Sequence, residues 1–131
     1  MKNILAPLAA PTYTLLRIVS GLLFAFHGVQ KVFGVLTTQQ PVGSQLWIGG
    51  VLELVCGALI AIGLFVPLAA FVASGMMAVA YCQYHWKFAM DRNFFPSVNE
   101  GEKAVIYCFL FLYIACRGGT FRSLNDSRPR E

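Results

Sequence analysis

The chain has 131 residues, 57% of them hydrophobic and only 12% charged, with a mean hydropathy of +0.64. A soluble domain carries about 25% charged residues, so too little polar surface remains here for a soluble fold. The formal charge of +4 is not a nucleic-acid signal: Arg117, Arg122, Arg128 and Arg130 gather in or just before a tail behind the last apolar stretch, the pattern of a cytoplasmic flank beside anionic lipid.

The length fits one domain. Residues 1–11 hold one lysine and a short apolar patch broken by Pro7. They do not read as a signal peptide, and the first transmembrane helix is expected to serve as an uncleaved insertion signal. That helix is expected over residues 12–33, with Pro11 at its start, where no N–H is needed. A segment of about 20 apolar residues spans a bilayer core, and this one is long enough. A polar loop rich in Thr, Gln, Gly and Pro follows over residues 34–45.

The next apolar block, residues 47–81, is too long for one helix. Gly63 and Pro67 divide it, because glycine suits a helix C-cap and the residue before proline disfavours the helical region. Helices over residues 47–63 and 67–88 are therefore predicted, joined by a tight turn. A second loop runs over residues 91–99. A fourth helix is predicted over residues 100–117, with Asn99 and Glu102 placed as a capping box. Gly118 and Gly119 stop it, and the tail over residues 118–131 is polar. The fold expected is all-α: four transmembrane helices in an antiparallel bundle.

Four spans put both termini on one side. Lys2, Arg117, Arg122, Arg128 and Arg130 lie there, against Lys31, Lys87, Arg92 and Lys103 on the other. The positive-inside rule then makes both termini cytoplasmic, in a prokaryotic inner membrane. Trp47, Tyr81, Tyr84 and Trp86 fall together at the outer interface, where amphipathic rings prefer to lie.

Ionisable residues inside the apolar stretches point to function, because each costs a few kcal/mol unless it faces a partner or water. His27 lies about 9 Å from the end of the first helix, and Glu53 at nearly the same depth in the second. Gln83, His85 and Glu102 lie toward the same side, so four helices offer polar groups to one layer. At about 100° per residue, Lys31 lies about 40° from His27. Arg17, Gly21, Phe24, Gly28 and Lys31 form one stripe, with His27 at its edge.

Two readings of this layer stand. Glu53 paired with Lys31 or His27 is a staple between helices, or the three residues form a polar pocket for a headgroup, a quinone or a proton. Arg17 reads as structural, paired with a carboxylate or a helix C-terminus. His85 reads as an interface residue, and Asn99 and Glu102 as structural caps. Gly21, Gly28, Gly49, Gly50, Gly57 and Gly63 suit close helix packing. The middle of the bundle is expected from Val51, Leu54, Ala58, Ile62, Val72 and Met76, an apolar set that argues against an open path.

The cysteines Cys56, Cys82, Cys108 and Cys116 form no CxxC pair and read as buried small hydrophobes. A redox pair would need two helices to bring thiols together. No metal-ligand spacing, phosphate loop, GxGxxG, HExxH or GxSxG appears. No covalently bound cofactor and no catalytic residue are expected.

These residues together resemble the DoxX family of small four-helix membrane proteins. The likeness begins with Arg17 and Gly21, then Phe26-His27-Gly28-x-x-Lys31. It continues with Gly50-x-x-Glu53-x-x-x-Gly57 and Gly63-Leu64-Phe65-x-Pro67. Asn99-Glu100-Gly101-Glu102-Lys103-Ala104 and Gly118-Gly119 with Ser123-Leu124 complete it. Where the family ending often reads Ser-Leu-Asp, this chain has Ser123-Leu124-Asn125-Asp126, so the acid is displaced by one position or replaced. The resemblance implies kinship with subunits of an archaeal thiosulfate:quinone oxidoreductase, and with membrane partners of sulfurtransferase or superoxide-dismutase systems.

The function expected is a non-catalytic accessory or anchoring subunit of a membrane redox complex, with a quinone- or lipid-binding pocket at His27, Lys31 and Glu53. A small proton-coupled transporter and a quinone-linked oxidoreductase subunit of thiosulfate:quinone type are the alternatives. The partners expected are the lipid bilayer and other membrane subunits, or further copies of this chain, and not nucleic acid.

Overall fold

The computed structural model describes residues 4–119. The Ser123-Leu124-Asn125-Asp126 ending, Lys2 and the tail arginines Arg122, Arg128 and Arg130 lie outside the described residues. Four α-helices follow one another: α1 (Ala9–Phe33), α2 (Gln45–Ile62), α3 (Val66–Ala80) and α4 (Glu102–Arg117).

A 3-10 turn, Ala6–Leu8, leads directly into α1. The helix therefore begins earlier than Pro11 suggests. Pro7 starts the 3-10 turn and Pro11 still falls in the first turn of α1, where neither missing N–H removes a helical bond. Helix α2 also starts early, because the Ser44 side chain accepts a hydrogen bond from the Trp47 amide at 3.2 Å. This is an ordinary serine N-cap. Gly63 closes α2 in the left-handed conformation (φ +83°), and the Gly63 and Leu64 amides both bond to the Leu59 carbonyl.

Pro67 sits in the first turn of α3. The far end of that helix was not foreseen: it passes into a π-helical turn, Tyr81–Trp86. Such turns are rare and cluster at functional sites. The loop that follows holds a 3-10 turn, Arg92–Phe94.

The capping box expected at α4 does not form. The helix starts at Glu102 behind Gly101, with no side-chain cap. Asn99 instead folds back on its own loop, its Oδ1 accepting from the Gly101 amide at 2.8 Å and its Nδ2 donating to the Asn93 carbonyl at 2.7 Å. Glu102 is exposed. Local Asx bonding of this kind competes with capping.

Helices α1 and α2 are in backbone contact and run antiparallel. A β-carbon on Gly21 would lie 2.7 Å from the Gly57 carbonyl oxygen and the Ala61 nitrogen. On Gly28 it would lie closer still to the Gly50 carbonyl and the Leu54 nitrogen. Helices α3 and α4 pair in the same sense: Ser74 Oγ donates to the Cys108 carbonyl at 2.8 Å, and the Gly101 position abuts the Tyr81 ring. Tyr13 Oη ties α1 to the end of α4, donating toward the Gly118 carbonyl at 2.9 Å.

The core holds Phe24, Cys56, Ile60, Ala70, Ala73, Met77, Phe111 and Ile114. The set expected to fill the middle is largely elsewhere. Ala58, Ile62 and Val72 are exposed: the inward faces carry Glu53, Gly57 and Ile60 on α2 and Ala69, Ala73 and Met77 on α3. The four cysteines are free thiols.

The exterior is apolar. Leu15 and Leu22 on α1, Val55 on α2, Phe71 on α3 and Phe109 on α4 are all exposed, which a soluble monomer could not sustain. Among the described residues, three stretches are long and apolar enough to cross a membrane: Ala6–Phe33, Gln45–Ile62 and Val66–Trp86. The protein is an all-helical membrane protein whose outer faces meet lipid.

The glycine seam gives a direct test. Gly28→Ala should lower the thermal midpoint in detergent by at least several degrees, since overpacking typically costs about 1–3 kcal/mol and backbone is the obstacle here. Gly75→Ala, where an added β-carbon meets nothing within 4 Å, should leave the midpoint unchanged.

Candidate functional site

The glycine seam sets the site. Gly50 has no side chain, so the Lys31 stem lies across α2, its Cβ 2.7 Å from where a Gly50 Cβ would stand. From there Lys31 Nζ reaches Glu53 Oε1 at 2.5 Å. The Glu53 side chain is 4% exposed and that of Lys31 is 32% exposed. The pair is charge-assisted and short, the strong class of hydrogen bond. Glu53 Oε2 is buried with no hydrogen-bond partner. Buried polar atoms are normally satisfied, and Arg17 Nε and Trp47 Nε1 share this unpartnered state.

Glu53 and Lys31 stand in the wall of a cavity of about 530 Å³. His27, Gln45, Gln83, His85 and Lys103 share that wall with them. Its apolar part includes Phe24, Leu52, Met76, Met77 and Tyr107. The volume lies within the range of about 300–1,000 Å³ typical of small-molecule sites, which pair an apolar lining with a few convergent polar groups. Gly49 is on the wall too, and a β-carbon there would meet nothing within 4 Å.

Side chains from α2 and the π-helical turn meet at one point: Gln45 Nε2 donates to Gln83 Oε1 at 2.6 Å. His85 Nδ1 lies 3.1 Å from the Asn99 carbonyl oxygen. That oxygen can only accept, so Nδ1 carries the proton and Nε2 is left for another partner. Asn99 therefore braces the ring of a cavity residue.

Among the residues singled out from the sequence, His27, Lys31, Glu53, Gln83 and His85 are brought together. His27 is exposed at the edge of α1, and it is Lys31 that bonds Glu53. Glu102 does not line the cavity; its neighbour Lys103 does. The helix begins two residues later than predicted, and one residue on a helix is a turn of about 100°.

Arg17 lies apart from the cavity and is 1% exposed. Its Nη1 donates to the Ile60 carbonyl and, at 3.1 Å, to the Ala61 carbonyl. These belong to the last turn of α2, where the helix dipole is negative. No carboxylate joins it among the described residues.

Gln45, Gly49, Lys103 and Tyr107 were not singled out as a site. Lys103 and Tyr107 stand one helical turn apart beside the buried Ala104, a pattern that could have placed both on one inward face.

The apolar helices and their internal polar-headed cavity define a small membrane protein with an amphipathic site. The model of the DoxX family matches residues 12–86, and the chain belongs to the DoxX family. A Haemophilus influenzae protein, described only as an uncharacterized protein, is 40% identical over 116 residues, covering 85% of this chain and 86% of its own. No solved structure matches.

Breaking the ion pair from one side should expose its asymmetry. Lys31→Met leaves a buried carboxylate alone and should cost about 2 kcal/mol, below the 3–5 kcal/mol of fully buried pairs because the ammonium is partly solvated. Lys31→Met combined with Glu53→Leu should recover most of that loss. Thermal unfolding of the two variants in one detergent measures the difference.

Proposed function

We propose that the protein is a four-span antiparallel bundle of a prokaryotic inner membrane, with both termini cytoplasmic, and that it serves as a non-catalytic accessory subunit whose cavity holds an amphipathic ligand of quinone or lipid type. The cavity of about 530 Å³ that His27, Lys31 and Glu53 line together with apolar side chains carries this reading. A staple between helices needs one bonded carboxylate oxygen, and Lys31 supplies it. A staple alone does not call for the space beside it, and an amphipathic ligand fits a volume with an apolar lining and a few convergent polar groups.

Helix α4 supports the fourth span. Its 16 residues reach about 24 Å, and Ile106, Phe109 and Tyr113 are exposed on its outer face. The electron-transfer chemistry of the complex would then lie in another subunit, with this chain holding or delivering the ligand.

A proton-coupled carrier would need a hydrated route from Glu53 to Arg17. Between those levels Phe24, Ile60 and Phe111 are at most 1% exposed, and this closely packed apolar layer favours the binding reading.

Glu53→Gln replaces the acceptor with an amide and removes the charge that Lys31 meets. Purification in mild detergent, with mass spectrometry of bound small molecules and partner chains, should show normal membrane insertion but lost ligand or lost partners. If thermal stability, partner retention and ligand content all match the parent, the reading of Glu53 fails.

A further inference from the structure

The cavity wall runs out onto the lipid-facing surface. Two of its residues, Ile48 on α2 and Val79 on α3, are exposed. Ile48 lies seven residues before Val55, and Val79 seven residues after Val72. Seven residues turn a helix to within about 20° of the starting direction, so each shares a face with that neighbour. Val55 and Val72 are exposed on the outside of the bundle. Both rims of the α2–α3 seam therefore belong at once to the cavity and to the exterior. Leu52 and Met76 carry the two rims inward.

The hairpin accounts for a gap at this level. Helix α2 ends at Ile62 and α3 begins at Val66, so the short turn between them holds the helices together there. At the far end the tie is made by two long side chains, Gln45 and Gln83. Between the two ends, a β-carbon on Gly49 would meet nothing within 4 Å. Ile48 and Leu52 follow Gln45 by three and seven residues, which sets them about 5–10 Å further along α2. The opening thus lies at hydrocarbon depth, with the glutamine tie at its polar edge.

An apolar cleft open to a bilayer does not stay empty. Walls that face a void forfeit their dispersion contacts, and at this depth hydrocarbon chains take the place of water as solvent. Phe24, Leu52 and Met76 offer a chain an apolar path continuous with the outer surface.

We propose, resting on the pocket reading above, that a window between α2 and α3 opens the cavity sideways to the bilayer core and that an acyl chain of a bilayer phospholipid occupies it. The chain enters from within the membrane, in the half of the bundle remote from Tyr13, and crosses no water.

The test places a fluorescent reporter inside the cavity. Tyr107 lines the wall, stacks on Phe111 at 5.4 Å and meets Phe24 at 5.7 Å between ring centroids, so its ring lies within the bundle. The full chain, with Trp47→Phe and Trp86→Phe, carries Tyr107→Trp as its one tryptophan. It is reconstituted in vesicles of dioleoyl phosphatidylcholine or of the derivative dibrominated across the acyl double bonds, whose bromines quench indole on contact. Tyr107→Trp should lose at least half of its emission in the brominated lipid, close to the loss of a lipid-facing reporter, Phe109→Trp. Adding Gly49→Phe, which grows into the open space beside the window, should restore most of that emission. Adding His27→Phe, on the α1 side of the cavity, should not. If Tyr107→Trp fails to fold, Phe24→Trp on the same wall gives the same reading.

Quenching that Gly49→Phe leaves unchanged overturns the window, and its removal by His27→Phe would put the entry between α1 and α4. A cavity reporter untouched by brominated lipid also overturns it. Acrylamide then separates the two readings. If acrylamide quenches the reporter, the cavity opens to water alone and the pocket reading stands. If neither quencher reaches it, the interior is packed, and the pocket reading falls with the window.

Discussion

The close approach of α1 and α2 is the constraint from which the rest of the structure follows. Membrane helices gain nothing from hiding apolar surface from lipid, so they associate through packing and polar contacts. Gly21 and Gly28 on one helix and Gly50 and Gly57 on the other remove the side chains that would hold the backbones apart. Only at that separation does the Lys31 stem cross α2 and bring its ammonium to Glu53. The ion pair depends on the glycines as much as on its own charges.

Polar ties are unevenly placed along the bundle. At the Gly63 end, Arg17 holds the last turn of α2, and Tyr13 Oη reaches the Gly118 carbonyl at the end of α4. Arg117 lies over the Tyr13 ring at 5.1 Å, adding a cation–π contact. In the middle, Phe24 meets Phe111 edge-on at 4.7 Å between centroids. This end is closed. Toward the opposite end the α1–α2 and α3–α4 pairs are linked across the cavity mouth by Gln45 and Gln83. A bundle pinned at one end and lightly joined at the other encloses its free volume near the light end, and the cavity lies there.

Much of this was legible in the sequence, for physical reasons that differ by residue. The stripe Arg17, Gly21, Phe24 and Gly28 is buried, because a helix of fixed period puts those positions on one side whatever the rest of the chain does. The common level of His27, Glu53, Gln83 and His85 came from counting rise along three helices. What could not be read were features set by contacts distant in sequence. Asn99 and Glu102 have the spacing of a capping box, yet the loop around Asn93 and Tyr81 offers Asn99 better partners. The start of α4 moves accordingly, and Lys103 replaces Glu102 in the cavity wall. The inward positions of α2 were also misplaced: hydrophobicity does not separate Ala58 and Ile62, which face out, from Gly57 and Ile60, which face in, because lipid and core are both apolar.

The weak hydrophobic drive between membrane helices bears also on what the cavity is for. In a water-soluble protein a volume of this size lined by Met76, Met77 and Phe24 could be filled by larger side chains at a gain in stability. Here the wall keeps Gly49 where a larger residue would meet no obstacle, and it buries a carboxylate that costs energy wherever its second oxygen lacks a donor. Neither feature helps helices α1 and α2 stay together, since Gly21, Gly28 and the bonded Oε1 already do so. The proposed amphipathic ligand would fill the apolar volume that the helices leave open. The π-helical turn at Tyr81–Trp86 fits the same logic. It carries Gln83 and His85, both of which stand in the cavity wall.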